Sequence, residues 1–124
     1  MWNSHSIIFL VVGEVMKIKF DEIKESIFPN FYYGKKETKA HMYVDELNRI
    51  MKGILPPGGS IGLHTHDKSS EIIIIISGKG KNICDDVEEM LEPGDCHYCK
   101  KGSSHTLINT GDEDLVFYGI VPQQ

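Results

Sequence analysis

The chain has 124 residues, of which 25% are charged, and its formal net charge is −5 at pH 7. That length suffices for one domain with a substantial core and is too short for two. An acidic balance with no basic stripe argues against nucleic acid and membrane surfaces as partners. The three cysteines are not the framework of a disulfide-stabilised secreted protein. We therefore expect a single cytoplasmic domain.

Residues 1–15 are predicted to be an extension of this domain. The apolar run over residues 7–12 is too short to span a bilayer, and no basic region or small-residue cleavage site marks a signal peptide. One interpretation is a false start, with Met16 as the natural first residue, because residues 13–15 can be encoded by bases that resemble a bacterial ribosome-binding site. The alternative is an edge strand that joins a neighbouring sheet. We prefer the false start and expect the domain to occupy residues 16–124.

The first part of the domain is predicted to begin irregularly and then to form strands. Residues 17–27 mix charged and apolar side chains, which indicates a short strand and then a brief helical turn that ends before Pro29. The aromatic run over residues 31–33 precedes a basic loop and is interpreted as packing rather than as a ligand site. Strands are predicted at residues 41–44 and 48–55.

The middle of the chain carries a run of five isoleucines over residues 72–76, after a turn at residues 56–59 and a strand at 60–66. This run has no polar alternation, so both of its faces should be dry. Glu71, Ile73 and Ile75 are predicted to face the interior. The opposite face then needs a cover, because an exposed strand of β-branched residues promotes aggregation. A second subunit or the N-terminal segment would supply that cover, and we favour a homodimer.

The last third is predicted to contain a hairpin and two further strands. Residues 81–84 and 87–91 form the hairpin, joined at Asp85-Asp86, and strands follow at residues 95–99 and 115–121. Short strands separated by glycine and proline turns predict an all-β sandwich or barrel. On such a strand Cys96 and Cys99 point to opposite faces, which argues against a zinc knuckle or a redox pair.

A candidate metal site lies on either side of the loop at residues 67–70. His64 and His66 are two residues apart, so on a strand their side chains leave the same face. The next strand opens with Glu71 and can return that carboxylate to the same point. Two imidazoles and a carboxylate suit a transition-metal ion and leave coordination positions open.

The spacing of these residues resembles the two motifs of the cupin superfamily, over residues 58–121. The first motif is matched by Gly58, His64, His66, Glu71 and Gly78, and the second by Gly94, Gly102, His105 and Asn109. Lys100 stands where the family usually has proline. The resemblance implies a double-stranded β-helix, or jelly-roll, barrel of the small single-domain type. It also implies that His105 is the fourth ligand of one divalent transition metal per chain, with iron, manganese, nickel and zinc left open.

No catalytic residue is identified beyond the ligands. His97 and Cys99 share a strand face that points inward in the family's usual pattern, so they are weak candidates for an acid–base group and a soft contact. A hydrogen-bonded core histidine and a small buried thiol are the favoured interpretations. The acidic group at residues 85–89 is interpreted as a solvated hairpin.

Two classes of function remain open. The first is a metal-dependent enzyme, of oxygenase, isomerase or lyase type, that acts on a small polar metabolite. The second is a non-catalytic sensor or a module that binds a metabolite or sugar. The complete ligand set with open positions slightly favours the enzyme.

Overall fold

The structure is a computed structural model that describes residues 16–124. The predicted extension over residues 1–15, with both of its interpretations, lies outside the described residues. Within the described part no helix is long and apolar enough to cross a bilayer. Ten strands make up most of it: β1 (Ser26–Pro29), β2 (Glu37–Val44), β3 (Asn48–Leu55), β4 (Ser60–Thr65), β5 (Glu71–Ser77), β6 (Gly80–Cys84), β7 (Val87–Leu91), β8 (Cys96–Cys99), β9 (Ser104–Asn109) and β10 (Leu115–Pro122).

The strands form two antiparallel sheets, which confirms the predicted all-β class. One sheet has six strands in the order β1-β2-β3-β10-β5-β8, and the other has four in the order β4-β9-β6-β7. Strands that are distant in sequence pair with each other: β10, the last strand, lies between β3 and β5 and pairs with both. This arrangement brings residues from the whole domain to one interior.

The core lies between the sheets and is built from alternate residues of each strand. Ile73 and Ile75 of β5 are 1% and 2% exposed, and Phe117 of β10 is fully buried. The predicted inward face of β5 is thereby confirmed. Gly53 on β3 faces the Phe117 ring, because an added Cβ would lie 2.4 Å from it. The sequence of β3 therefore needs a glycine at this position for the aromatic ring to fill the core.

The predicted hairpin at residues 81–91 is confirmed. β6 and β7 pair in register from Gly80 with Leu91 to Cys84 with Val87. Asp85 and Asp86 connect them with φ values of 48° and 67°. Two successive residues with positive φ make the tight turn whose twist matches that of paired strands.

The prediction for residues 17–29 was wrong in its order. A 3-10 turn at Phe20–Glu22 comes first, and the strand β1 follows it and ends at Pro29. β2 also begins earlier than predicted, at Glu37, because it pairs with β1 along Glu37–Ala40. A proline fits at the end of an edge strand such as β1, where no further ladder hydrogen bond is required of it.

The outer face of β5 is only partly covered by the described residues. Ile72 and Ile74 are half-buried and Ile76 is 37% exposed. Tyr118 lies on the neighbouring strand β10. Phe20 stacks on its ring at a centroid distance of 5.5 Å and shields part of this face. The remaining apolar surface is the region for which the sequence predicted a cover.

Asp45 organises the turn between β2 and β3. One of its carboxylate oxygens accepts hydrogen bonds from the backbone N–H groups of Leu47 and Asn48, at 2.9 and 2.8 Å, and the other accepts the Tyr43 hydroxyl at 2.9 Å. Burial opposes ionisation, but these donors outweigh it and lower the pKa of Asp45 below its ordinary value of 3.8.

We expect Asp45→Ala to lower the free energy of unfolding by about 1–2 kcal/mol at pH 7. Because the pKa of Asp45 is lowered on folding, its contribution is present above the unfolded pKa and is lost as the pH falls through the lowered folded pKa. Urea unfolding at pH 7 and in acid measures both effects. Asp45→Asn keeps an acceptor oxygen and should lose mainly the pH dependence, whereas wild-type stability of Asp45→Ala would contradict the assignment.

Candidate metal centre

Four predicted ligands converge between the two sheets. His64 on β4 and His105 on β9 are cross-strand partners, His66 follows β4, and Glu71 opens β5. The Nε2 atom of His105 lies 3.1 Å from Nε2 of His64, 3.1 Å from Nε2 of His66 and 2.9 Å from Oε1 of Glu71. The same carboxylate oxygen is 3.1 Å from His66 Nε2 and 3.7 Å from His64 Nε2.

Strand alternation places the two nearby histidines on one face, as predicted. Leu63 and Thr65 are exposed, while His64 has a side-chain exposure of 11% and His66 one of 6%. The irregular β4–β9 pairing between Ile61 and His64 re-aims this part of the strand. Both imidazoles therefore point to the same interior position.

Hydrogen bonds on the other ring nitrogens allow the inward-facing nitrogens to act as metal ligands. His64 Nδ1 is 2.7 Å from the carbonyl oxygen of Gly62, which only accepts, so Nδ1 carries the proton. His66 Nδ1 lies 2.9 Å from the hydroxyl of Ser69, and His105 Nδ1 lies 3.0 Å from the Nε2 of His97. With Nδ1 protonated on each ring, the three Nε2 atoms can present lone pairs to a cation placed among them.

The ionisation of the cluster agrees with a set of metal donors. Burial alone would raise the pKa of Glu71, but contacts with His105, His64 and His66 hold it well below its usual range. Burial lowers the pKa of His105, against the opposing effect of Glu71. Lone pairs and a negative charge packed this closely in a buried site repel one another unless a cation lies among them. The residues therefore fit a divalent cation, and as a group of three nitrogens and one oxygen they could hold one.

A cavity of about 360 Å³ opens beside these residues. His64 and His66 form part of its wall, and two cationic side chains, Arg49 and Lys68, form another part. Sequence reasoning missed Arg49. Arg49 lies on β3 two residues before the buried Met51, so the two side chains leave the same face of the strand. That alternation was the sequence signal that could have identified it.

Tyr32 closes one side of the same cavity. Its ring stacks on the imidazole of His64, with centroids 4.3 Å apart and planes inclined by 13°. The 3-10 turn Phe31–Tyr33 that carries it lies directly on β4, where Gly62 leaves room for the backbone oxygen of Tyr32. Phe31 and Tyr32 thus serve in packing, as predicted, and Tyr32 is also part of the cavity wall, whereas Tyr33 is fully exposed.

His97 and Cys99 lie on β8, where Cys99 is the cross-strand partner of Glu71 and His97 that of Ile73. His97 is 3% exposed, and its ring bridges His105 and the carboxylate of Glu89. Cys99 is fully buried, and with Cys84 and His97 it forms a second group whose donor atoms lie within 4.8 Å of one another. Glu89 lies on the exposed hairpin, as interpreted from the sequence, but its half-exposed side chain also bonds to a buried histidine.

The thiols differ in surroundings, as their alternation on β8 predicted. Cys96 is exposed and Cys99 buried, so they do not form a redox pair. Burial raises the pKa of the Cys99 thiol to about 12 and also raises the pKa of Cys84.

We expect Cys96 alone to react rapidly with a thiol-specific reagent at pH 8, because only an accessible thiolate is a good nucleophile. Peptide mapping by mass spectrometry after brief iodoacetamide treatment measures the modified site. Cys96→Ser should abolish this rapid reaction with iodoacetamide. Rapid labelling of Cys99 in the folded protein would contradict the described burial.

Comparison with known proteins agrees with this architecture and places the chain in a family. The model of the cupin domain matches residues 51–121. The chain belongs to the cupin family. A Thermotoga maritima protein named oxalate-binding protein is 33% identical over 117 residues, which cover 88% of this chain and 95% of the relative.

Solved cupin structures have the same fold. A Thermotoga maritima protein described as a predicted oxalate decarboxylase superposes with a TM-score of 0.82 at 29% identity, covering 88% of this chain and 100% of that one. A Klebsiella pneumoniae protein with a double-stranded β-helix domain has a TM-score of 0.72 at 19% identity, covering 94% and 91%. The latter likeness concerns the fold alone. The predicted double-stranded β-helix is confirmed.

The one departure from the second cupin motif leaves the local turn intact. The N–H of Ser103 donates to the carbonyl of Lys100 at 3.0 Å, and Gly102 adopts a φ of +90°. A lysine at the first position of such a turn needs no special backbone conformation, while glycine supplies the positive φ. His105 therefore reaches the site from this loop without the usual proline.

Proposed function

We propose that His64, His66, Glu71 and His105 hold one divalent transition-metal ion and that this centre binds a small carboxylate. The observation that carries the proposal is the convergence of three imidazole nitrogens and a carboxylate oxygen that all lie within 4.8 Å of one another. Iron, manganese, nickel and zinc all accept such a donor set. The bound ion would supply Lewis acidity and open positions for an exogenous oxygen donor.

The cavity supports an anionic ligand. Arg49 and Lys68 place two cationic side chains in a wall adjoining His64 and His66. Arginine pairs with carboxylates through two parallel hydrogen bonds, which favours this class over neutral sugars. A volume of about 360 Å³ suits a ligand of few atoms. The relative named oxalate-binding protein supports the dicarboxylates as the first ligands to test.

Turnover of the bound carboxylate is the second candidate function. The superposed Thermotoga maritima protein is described as a predicted oxalate decarboxylase, which supports a lyase over an oxygenase or isomerase. Lys68, Asp67 and Tyr32 are side chains of the cavity wall that could exchange a proton with a bound ligand. Binding without turnover is the alternative.

Calorimetry with oxalate tests binding. Protein loaded with Mn²⁺ or Zn²⁺ should bind oxalate, and metal-free protein should not. Arg49→Gln should weaken the binding of oxalate while leaving the metal content unchanged. Glu46→Gln, at an exposed position, is the control and should change neither quantity. Oxalate affinity that is independent of metal would overturn the proposal. Release of CO₂ and formate, together with oxygen uptake, then distinguishes an enzyme from a binder.

We also propose that the domain is a homodimer through the outer face of β5 and β10. Ile76, Tyr98 and Tyr118 add exposed apolar area beside Ile72 and Ile74. Contiguous apolar patches of this kind mark association surfaces.

We expect light scattering after size exclusion to give twice the chain mass for the wild type. Ile74→Lys should give a monomer, because it places a charge in the centre of the patch. Met90→Lys, on an exposed position of the other sheet, serves as the control and should remain dimeric. A monomeric wild type would contradict the dimer and leave the metal proposal untouched.

A further inference from the structure

We propose that Glu89 and His97 are positioning residues that fix the tautomer of His105. This rests on the proposed metal centre, whose ligand His105 must present an unprotonated Nε2. The three side chains form a linear chain of contacts: Glu89 Oε1 lies 2.9 Å from His97 Nδ1, and His97 Nε2 lies 3.0 Å from His105 Nδ1. No motif residue of the family is involved except His105.

The chemistry of the groups sets the direction of these hydrogen bonds. A carboxylate at neutral pH only accepts, so His97 Nδ1 carries the proton that bonds to Glu89. A neutral imidazole has one donor and one acceptor nitrogen, so His97 Nε2 is then an acceptor. His105 Nδ1 must donate to it, so Nε2 is the nitrogen of His105 that remains to bind a cation. This is the atom 2.9 Å from Glu71 and 3.1 Å from His64.

Burial makes this chain of bonds restrictive. His97 is 3% exposed and His105 is 1% exposed, so neither ring has free access to bulk water as a substitute partner. The amide of Asn82, fully buried on β6, lies 3.3 Å from His97 Nδ1. The amide nitrogen is the atom that faces His97, and Oδ1 of Asn82 lacks a hydrogen-bond partner among the described residues. A 180° turn of the amide brings that oxygen to the His97 N–H. Glu89 remains half-exposed, so its charge is stabilised by solvent while its oxygen reaches inward.

The neighbouring thiols do not offer His97 another role of comparable support. Cys84 and Cys99 have donor atoms within 4.8 Å of a ring nitrogen of His97. Both ring nitrogens, however, already have closer partners in His105 and Glu89. A metal bound by the thiols and His97 would have to break one of these contacts. The geometry therefore favours a histidine that orients a ligand over a ligand of a second ion.

The first test is independent of metal. In metal-free protein labelled with ¹⁵N in histidine, two-bond nitrogen–proton spectra should show His105 protonated on Nδ1 and His97 also protonated on Nδ1. His97→Leu should shift His105 to a mixture of tautomers. A wild-type His105 protonated on Nε2 and not on Nδ1 would overturn the inference, even if metal binding itself were normal.

The second test is Zn²⁺ affinity, measured by competition with a chelator. His97→Leu should weaken Zn²⁺ binding by about 10–100-fold, the range seen when outer partners of a ligand are removed. His97→Gln retains an oxygen that can accept from His105 and should recover most of this loss. Glu89→Ala should weaken binding, whereas Glu88→Ala, on the adjacent residue with a 55% exposed side chain, should not.

The outcomes separate the two proposals. Failure of the wild type to bind any transition metal contradicts the proposed function, and the spectra still decide the tautomer. Wild-type Zn²⁺ affinity in His97→Leu contradicts the positioning role alone. Two tightly bound Zn²⁺ ions per chain, one of them lost in Cys84→Ser, would assign His97 to a second metal site and also overturn it.

Discussion

Replacing Glu71 by glutamine is expected to lower metal affinity at least about 100-fold, more than the loss of an outer partner causes. The substitution keeps the shape of the side chain but removes the one negative charge among the four donors. Glu71 is 3% exposed, so no solvent-borne ligand replaces it easily. Elemental analysis of protein purified without added metal, followed by chelator competition, measures the loss.

Two controls accompany this variant. Glu46→Gln removes the same charge from an exposed turn and should retain wild-type metal content. Thermal unfolding of the metal-free proteins shows whether Glu71→Gln still folds. Metal content of folded Glu71→Gln equal to that of the wild type would contradict the assignment of these four residues as ligands.

Gly62→Ala is expected to destabilise the domain by about 1–3 kcal/mol and to weaken metal retention with it. A Cβ at this position would lie 1.9 Å from the backbone oxygen of Tyr32 and 2.9 Å from the backbone nitrogen of Gly34. Backbone atoms cannot rotate away as a flexible side chain can, so the Phe31–Tyr33 turn must move. That movement takes Tyr32 off the ring of His64, whose Nδ1–H is held by the Gly62 carbonyl.

Gly111→Ala is the matched control. There an added Cβ would meet its nearest neighbours, Asn109 Oδ1 and Lys79 Cβ, at 3.6 Å, which is ordinary contact. Its effect on stability should stay within about 0.5 kcal/mol. Denaturant unfolding and metal analysis of both variants measure the difference. Equal stability of the two variants would show that the Tyr32 turn is not seated on β4 as described.

Several parts of the fold could be predicted from local sequence because their causes are local. Alternation of side chains placed Glu71, Ile73 and Ile75 on the buried face of β5, and the Asp85-Asp86 pair marked the hairpin. The order of the turn and strand before Pro29 could not be predicted in the same way. β1 exists because it pairs with the start of β2, and that partner is not visible in its own residues.

The candidate site divides along the same line. The spacing of His64, His66 and Glu71 indicated a common target, since a strand and a short return loop fix where these side chains point. His105 could be identified only from the resemblance to cupins, because it meets His64 through the pairing of β4 with β9, which are distant in sequence. The sequence therefore indicated which residues could form the centre, and the structure shows that these four residues lie together.

By itself the sequence determined the all-β class, the buried face of β5 and the shared direction of His64, His66 and Glu71, because those follow from side-chain periodicity and spacing within short segments. Only the tertiary structure decided that Arg49 and Tyr32 share a cavity wall with His64, and that Glu89 reaches His105 through His97. These contacts join strands of different sheets, and their existence depends on sheet order and on the distance between the sheets. Neither quantity is encoded in the spacing of neighbouring residues, since it results from how the whole core packs.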